Sequence, residues 1–502
     1  MSIFKACDIR GVVGQEWGAD EARRIGRSLG QMIRSRGDAS VCVGGDFRRS
    51  TPLLKQAFVE GLLDAGLAIH DVGQQPTPVV YFAARQLGCR SVAVVTASHN
   101  PARYNGIKFV VAGRPAVPQL VQELEAGCQT PPPDEPRGAA SYHDVTAAYQ
   151  DWVIRRAAEF LGAADHLVTG LCPVTHRPRG SASHPAGGAG EAVRSQAGAW
   201  ERGDAQAGAW ERGPKPSLSV VLDAMAGAFT HIAPRVLAHT GVTVTALTPA
   251  IDPDFSARTP NPARDENLAP LIEAVVERDS DLGIGLDGDG DRVVFVDHTG
   301  RIVRPEQLAV VLIQHFFDRP TVIYDLKCAS IVAAAAAACS GRAVMQPSGY
   351  GFIKTAMLER RAELGVEVSG HHFYGALNGG DDGLFTALVV LGLLRRTGKR
   401  LAELIEPIGW PTITPDVRVP YEGDAAAVVE AIATSCGGTV TRLDGVRAEY
   451  DGGWALARAS ITESAVTFRF EGRDPSHLRW IAEHFLAGAG ELRSHVLEKL
   501  DD

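Results

Sequence analysis

The sequence predicts an α/β protein of several units closed by a separate α+β domain, and three observations carry that expectation. Short β-branched runs end again and again in a polar or glycine-rich loop that gives way to a helical pattern. The spacing changes after Pro411, where strand-like runs follow one another before a closing helix. A chain of 502 residues divides into roughly three or four domains of about 150 residues each, every one long enough to bury a core.

The elements follow in order. Asp20 to Ile33 has helical spacing, as does Thr51 to Leu63, and each opens on a residue of capping type. Val41-Cys42-Val43 before Gly44 and Val92 to Val95 before Thr96 read as buried strands, the second delivering Ser98 to its carboxyl end, where open α/β sheets hold ligands. Val220 to Leu222 before Asp223, Leu282 to Leu286 before Asp287, and Val322 to Tyr324 before Asp325 continue the series. In the last part, Gly438 to Leu443, Trp454 to Ser460 and Ala465 to Phe470 read as strands, with a final helix from about Ser476.

The stretch from Pro173 to Pro216 is rich in Gly, Ala, Pro, Ser and Arg and lacks sustained apolar periodicity. The octet Gln196 to Gly203 recurs at Gln206 to Gly213, and two copies do not make a solenoid. A flexible surface insertion is expected, because this composition buries too little apolar surface to offset its ordering entropy. Trp200 and Trp210 keep open a partner-binding role.

Composition excludes several classes. A net charge of -9 argues against a nucleic-acid surface. The apolar runs Ile331 to Cys339 and Leu384 to Leu394 are too short to span a bilayer, and Lys5, Asp8 and Arg10 interrupt any leader-like apolar region, so a cytoplasmic enzyme without membrane contact is expected. Eight cysteines form no Cys-x-x-Cys pair, which leaves reduced thiols as the default.

Two segments carry chemistry. Thr96-Ala97-Ser98-His99-Asn100-Pro101 offers a serine that could carry a phosphoryl group, although the same residues suit an ordinary capped turn. Asp287, Asp289 and Asp291 alternate along an extended loop, point to one side and can converge on a hard cation. A solvated turn is the bland alternative. An EF-hand fails, since its sixth position would be Arg292 and its twelfth His298.

With these motifs in place the chain resembles the α-D-phosphohexomutases, and most the bacterial phosphomannomutase/phosphoglucomutase group. The likeness rests on Ala6 to Gly11, Thr96 to Lys108, Gly285 to Arg292, Glu367 to His371, Asp381-Asp382-Gly383 and Arg458 to Glu463, in that order, and covers nearly all of the chain outside the insertion. It implies three tandem α/β mixed-sheet domains plus a C-terminal α+β domain around a central cleft, with boundaries expected at 1–147, 148–300, 301–410 and 411–502. It further implies Mg²⁺, a phosphorylated serine, and a hexose 1,6-bisphosphate that turns around between two phosphoryl transfers. Ser98 is then the carrier and, with Asp287, Asp289 and Asp291, a metal ligand. Arg10, Lys108 and Arg292 are the charge partners, since phosphoryl transfer needs in-line positioning and cationic stabilisation.

His99 and Lys108 are acid/base candidates, with a merely orienting His99 as the alternative. Glu367 and Ser369 match the family's sugar-recognition loop, and Arg458, Ser460 and Thr462 its phosphate clamp. Lys327, Tyr350 and His371 are expected at the substrate too. Hexose phosphates are the implied partners, taken up by a monomer.

The chain departs from the family pattern in places. Cys7 stands where many members have Tyr, Gly45 where Gly-Arg-Asp is usual, Ala226 where Asn precedes Gly227, Tyr350 where His is frequent, and Ile461 and Ser464 where the clamp has Asn and Pro. Altered preference or reduced activity is the consequence to test. Three other readings compete: a phosphoglucosamine mutase, a non-catalytic scaffold derived from a mutase, and a haloacid-type phosphatase. Intact Ser98 and aspartates oppose the scaffold, and the lack of a Thr after the paired aspartates opposes the phosphatase.

Overall fold

Four sheets organise the chain, in a computed structural model that describes residues 2–130, 136–165, 217–459 and 464–501. The expected insertion with Trp200 and Trp210, and the clamp residues Ser460 and Thr462, lie outside the described residues.

The first sheet runs Ile9–Val12, Tyr104–Val111, Val92–Val95, Ser40–Gly45, Ala68–Gln74, Ala140–Tyr142, with Arg114–Pro115 at its side. Its middle is parallel, and Tyr104–Val111 is antiparallel to both neighbours, so the sheet is mixed. The second sheet (Ile302–Val303, Val293–Asp297, Leu282–Leu286, Ser219–Asp223, Thr243–Ala246) and the third (Arg342–Gln346, Thr321–Asp325, Leu364–Val366, His372–Tyr374, Gly380–Asp381) repeat that logic of parallel strands edged by an antiparallel turn-back. The fourth pairs Ala465–Gly472 and Gly453–Ala459 at the centre of a purely antiparallel sheet, the expected α+β end.

One continuous core joins residues of the first three sheets, and the fourth sheet has its own. The apolar run Leu384 to Leu394 lies in helix Gly383–Thr397 and is buried throughout, which explains its hydrophobicity without a bilayer. This helix packs on Thr146–Asp165 so closely that a Cβ on Gly392 would sit 2.2 Å from Leu161 Cδ1. Among the described residues no helix is long and apolar enough to cross a membrane.

Three details differ from the sequence expectation. Helix Ala19–Ser35 opens at Gly18, whose N–H donates to Glu21 Oε2 at 2.9 Å, so Asp20 sits in the first turn instead of capping it. Thr51 opens Thr51–Asp64 with its hydroxyl turned away, donating to Asp46 Oδ1 at 2.6 Å. Helix Pro475–Phe485 is not the last, since Leu492–Asp501 follows it, and its buried Leu492 and Val496 complete the fourth core.

Candidate active site

The serine loop leaves the first sheet after Val95 and is held from below. Arg48, wholly buried, donates to the carbonyls of Ser98 (2.7 Å), Asn100 (2.7 Å), Pro101 (2.9 Å) and Tyr104 (3.3 Å), and its Nε donates to Asp46 Oδ2 at 3.0 Å. Thr96 Oγ1 lies 2.8 Å from the same Asp46 oxygen and accepts from the Ser98 N–H at 2.8 Å. Ser98 is thereby fixed at φ +50°, a left-handed conformation that a non-glycine residue adopts only under such constraint.

The carboxylate loop leaves the second sheet after Leu286 and meets the serine loop directly. A Cβ on Gly288 would come within 2.6 Å of the Ser98 carbonyl oxygen, so only glycine permits this approach. Ser98 Oγ donates to Asp287 Oδ2 at 2.7 Å and lies 3.3 Å from His99 Nδ1. Ligand atoms of Asp287, Asp289 and Asp291 fall within 4.8 Å of one another. Asp289 Oδ1 and Asp291 Oδ1 are buried without a hydrogen-bond partner, which suits an oxygen-coordinated divalent cation: the residues fit magnesium. Thr77 buttresses the loop, its hydroxyl donating to Asp289 Oδ2 at 2.7 Å and its N–H to the Asp289 carbonyl at 2.9 Å.

Lys108 reaches this cluster from Tyr104–Val111, donating to Asp289 at 2.8 Å and also to Asp291. Burial works against its charge, but the three aspartates outweigh burial and hold its pKa above the ordinary range. Burial, and then the neighbouring carboxylates, push Asp287 up to about 8. Burial also drives the His99 imidazole well below its usual value, reinforced by Arg292, Arg10 and Lys108, so His99 is neutral near pH 7. Lys108 is fixed as an ammonium while His99 is free to accept a proton, a distinction the sequence left open.

The third sheet adds the loop Glu367–His371, which an antiparallel bridge between Arg292 and His371 joins to the second. Arg292 Nε donates to His371 Nε2 at 2.8 Å, and His371 Nδ1 lies 2.7 Å from Asp381 Oδ2, which assigns the proton to Nδ1. Glu367 Oε1 accepts from the Gly349 N–H at 2.6 Å, and burial raises its pKa.

Arg10, His99, Lys108, Arg292, Lys327, Tyr350, Glu367, Ser369, His371 and Arg458 all line one cavity of about 680 Å³. Ser98 and the aspartates lie just beneath its floor. In this cavity Arg10 is paired with Asp8 at 2.5 Å and Asn100 at 3.0 Å, Lys327 with Asp416 at 2.5 Å, and Arg458 with Asp444 at 3.2 Å. Two departures from the family pattern touch: the Tyr350 hydroxyl donates to the Cys7 carbonyl at 3.1 Å. Burial pushes the Cys7 thiol up to about 12, leaving it inert.

Sequence reasoning missed Asp46, Arg48, Thr77 and the role of Asp381. Asp46-Phe47-Arg48, a charged pair directly after a fully apolar strand, was the available signal for the first two; Thr77 gave none.

Comparison with known proteins shows the family and the fold. Models of phosphoglucomutase/phosphomannomutase alpha/beta/alpha domains I, II and III match residues 1–132, 205–300 and 304–408. A phosphomannomutase/phosphoglucomutase of Pseudomonas aeruginosa is 32% identical over 96% of this chain and 94% of its own. A phosphoglucomutase of Neisseria gonorrhoeae is 29% identical over 97% and 96%. The crystal structure of a phosphoglucomutase/phosphomannomutase family protein from Burkholderia thailandensis superposes with a TM-score of 0.79 at 29% identity, covering 99% of this chain and 97% of that one.

Proposed function

The chain belongs to the phosphoglucomutase/phosphomannomutase family, and on that premise we propose that it moves a phosphoryl group between the 1- and 6-positions of mannose and glucose phosphates with Ser98 as carrier. The observation that carries this reading is the 2.7 Å contact of Ser98 Oγ with Asp287, across the junction of the first two sheets.

In the first transfer a sugar hydroxyl oxygen bonds to the phosphorus of phosphorylated Ser98 and gives up its proton, the P–Oγ bond breaks, and Oγ takes up a proton to become the serine hydroxyl. His99, neutral and 3.3 Å from Oγ, stands on the serine side, to take the Ser98 hydroxyl proton when the phosphoryl group returns and to give it back when the group leaves. Lys108 and Arg292 stabilise charge on the transferring group, and Arg10 holds the loop through Asn100. Mg²⁺ held by Asp287, Asp289 and Asp291 supplies, when bound, neutralisation of phosphoryl-oxygen charge. Glu367 and Ser369 present acceptors to sugar hydroxyls, Lys327, Tyr350 and Arg458, with Ser460 and Thr462, receive the remote phosphate, and His371, held by Asp381 and Arg292, orders the substrate wall beside them. The hexose 1,6-bisphosphate then reverses in the cleft and returns its other phosphate to Ser98.

We assign four domains to the boundaries 1–147, 148–300, 301–410 and 411–502. The working compartment is the cytoplasm, in keeping with seven cysteines free and buried among the described residues. A coupled assay of mannose, glucose and glucosamine 1-phosphates, with Mg²⁺ and a trace of hexose 1,6-bisphosphate, tests the proposal. Turnover of the first two is expected. Activity confined to glucosamine 1-phosphate would reassign the sugar, and inactivity on all three would restore the scaffold reading.

A further inference from the structure

A second cavity, of about 240 Å³, lies behind the His371–Asp381 pair, between helix Thr77–Gln86 with its neighbours on the first sheet and helix Tyr350–Arg360 with the loop Leu377 to Asp382 on the third. Lys354 enters it from the latter helix and is only 8% exposed. No carboxylate lies within 4.0 Å of its ammonium, and no hydrogen bond reaches it, among the described residues; it lies over the ring of Tyr81, with Nζ 4.0 Å from the centroid. An ammonium carries three donors, and the cavity that Lys354 lines is where an acceptor can meet them. Tyr81 also lines the cavity, and its phenol oxygen is buried without a partner.

The charge in the cavity favours an anion. Lys354, Arg85 and Arg90 line it, Arg85 donating to the Leu377 carbonyl and Arg90 paired with Asp38, so Lys354 is the cation without a partner of this kind among the three. The two carboxylates that also line it are engaged elsewhere: Asp381 Oδ2 with His371, and Asp382 with the N–H groups of Leu384 and Phe385 and the Tyr149 hydroxyl. Burial lowers the Lys354 pKa and outweighs the pull of the Asp381 and Asp291 charges, so a bound anion would restore the ammonium. We propose that this cavity is a second anion site, separate from the cleft, that takes a small phosphate-bearing molecule on the Lys354 ammonium with the Tyr81 hydroxyl as a further donor. The volume of about 240 Å³ suits inorganic phosphate or a phosphate ester smaller than a hexose phosphate. Its wall, Asp381, holds His371 and through it Arg292, so an occupant sits one side chain behind the residues of the transfer site.

Isothermal titration of inorganic phosphate into the full chain, pre-equilibrated with saturating glucose phosphates and Mg²⁺ so that the cleft is filled, tests this. One phosphate site should remain, weakened at least tenfold by Lys354→Met and largely retained by Lys354→Arg. If no site remains once the cleft is saturated, or if Lys354→Met binds as tightly as the wild type, the proposal is overturned. A measurement on the unaltered protein guards against a variant that does not fold: under the same saturation, phosphate should slow acetylation of Lys354 by acetic anhydride at least threefold, read by peptide mass spectrometry. An unchanged rate overturns the proposal equally.

Discussion

Replacing Arg48 by Met should cut kcat strongly while leaving KM nearly unchanged, because Arg48 touches no part of the cleft surface yet holds four carbonyls of the serine loop. Two of those bonds, to Ser98 and Asn100 at 2.7 Å, bear directly on the reacting residue. A hydrogen bond from a charged donor contributes about 1.5–3 kcal/mol, and a left-handed non-glycine residue costs roughly 1–2 kcal/mol that the constraint must offset. Losing the constraint should therefore reduce the reactive loop geometry by about 2–3 kcal/mol, or roughly 30- to 150-fold in kcat. Breaking the buried Arg48–Asp46 pair should also cost about 3–5 kcal/mol of stability in this part of the molecule. The coupled mutase assay, normalised to folded protein by near-UV circular dichroism, separates the two effects. Arg48→Lys should recover part of kcat by restoring the charge. A Met variant that is destabilised as expected but keeps kcat within about threefold of wild type would refute the constraint argument.

Ser98→Ala should abolish multiple turnover while leaving sugar-phosphate binding intact by calorimetry, since it removes the carrier and one buried oxygen. Asp289→Asn should weaken Mg²⁺ activation and slow chemistry by tenfold or more, about 1.4 kcal/mol; unchanged rate and chelator sensitivity would remove this residue from the metal loop. Arg458→Ala should mainly raise KM, because a remote clamp binds ground and transition states alike, and a fall in kcat alone would make Arg458 part of the chemistry. Cys7→Tyr should crowd Gly351, where a Cβ would already lie 3.0 Å from Cys7 Sγ, and Tyr350→His should leave the Cys7 carbonyl short of a donor. The double variant should recover stability beyond the sum of the singles in thermal unfolding, and simple additivity would show the two positions to be independent.

The strands that deliver Ser98 and Asp287 were legible because both are fully buried apolar runs that stop abruptly at a polar loop, and the alternation of three carboxylates foretold their convergence. What supports them was not legible. Arg48 acts through the carbonyls of a distant loop and Thr77 through the Asp289 carboxylate and carbonyl, and sequence does not reveal which distant group a side chain will meet. Helix capping misled for a related reason: the Thr51 hydroxyl that suits an N-terminus found a better acceptor in Asp46, so tertiary contact overrode local preference. Glu367, Ser369 and His371 were found by resemblance to a motif; the Arg292–His371–Asp381 chain that orders them appears only in three dimensions.

The division of the apolar interior has a consequence for how the molecule melts. Residues of the first three sheets share one continuous core, whereas the fourth sheet closes its own and meets the third through a patch of Leu326, Trp454 and Leu456, with Arg447 donating to the Leu326 carbonyl at 2.6 Å. Cooperativity follows shared burial, so the fourth sheet and the helices packed on it are expected to open or unfold as a unit while the rest stays native. Amide hydrogen exchange in Gly453–Ala459 and Ala465–Gly472 should accordingly report a lower opening free energy than in Val92–Val95 or Leu282–Leu286. Arg458 rides on that unit, so the loss of its phosphate contact would precede global unfolding, and heat would take away substrate affinity before it dismantled the serine and carboxylate loops.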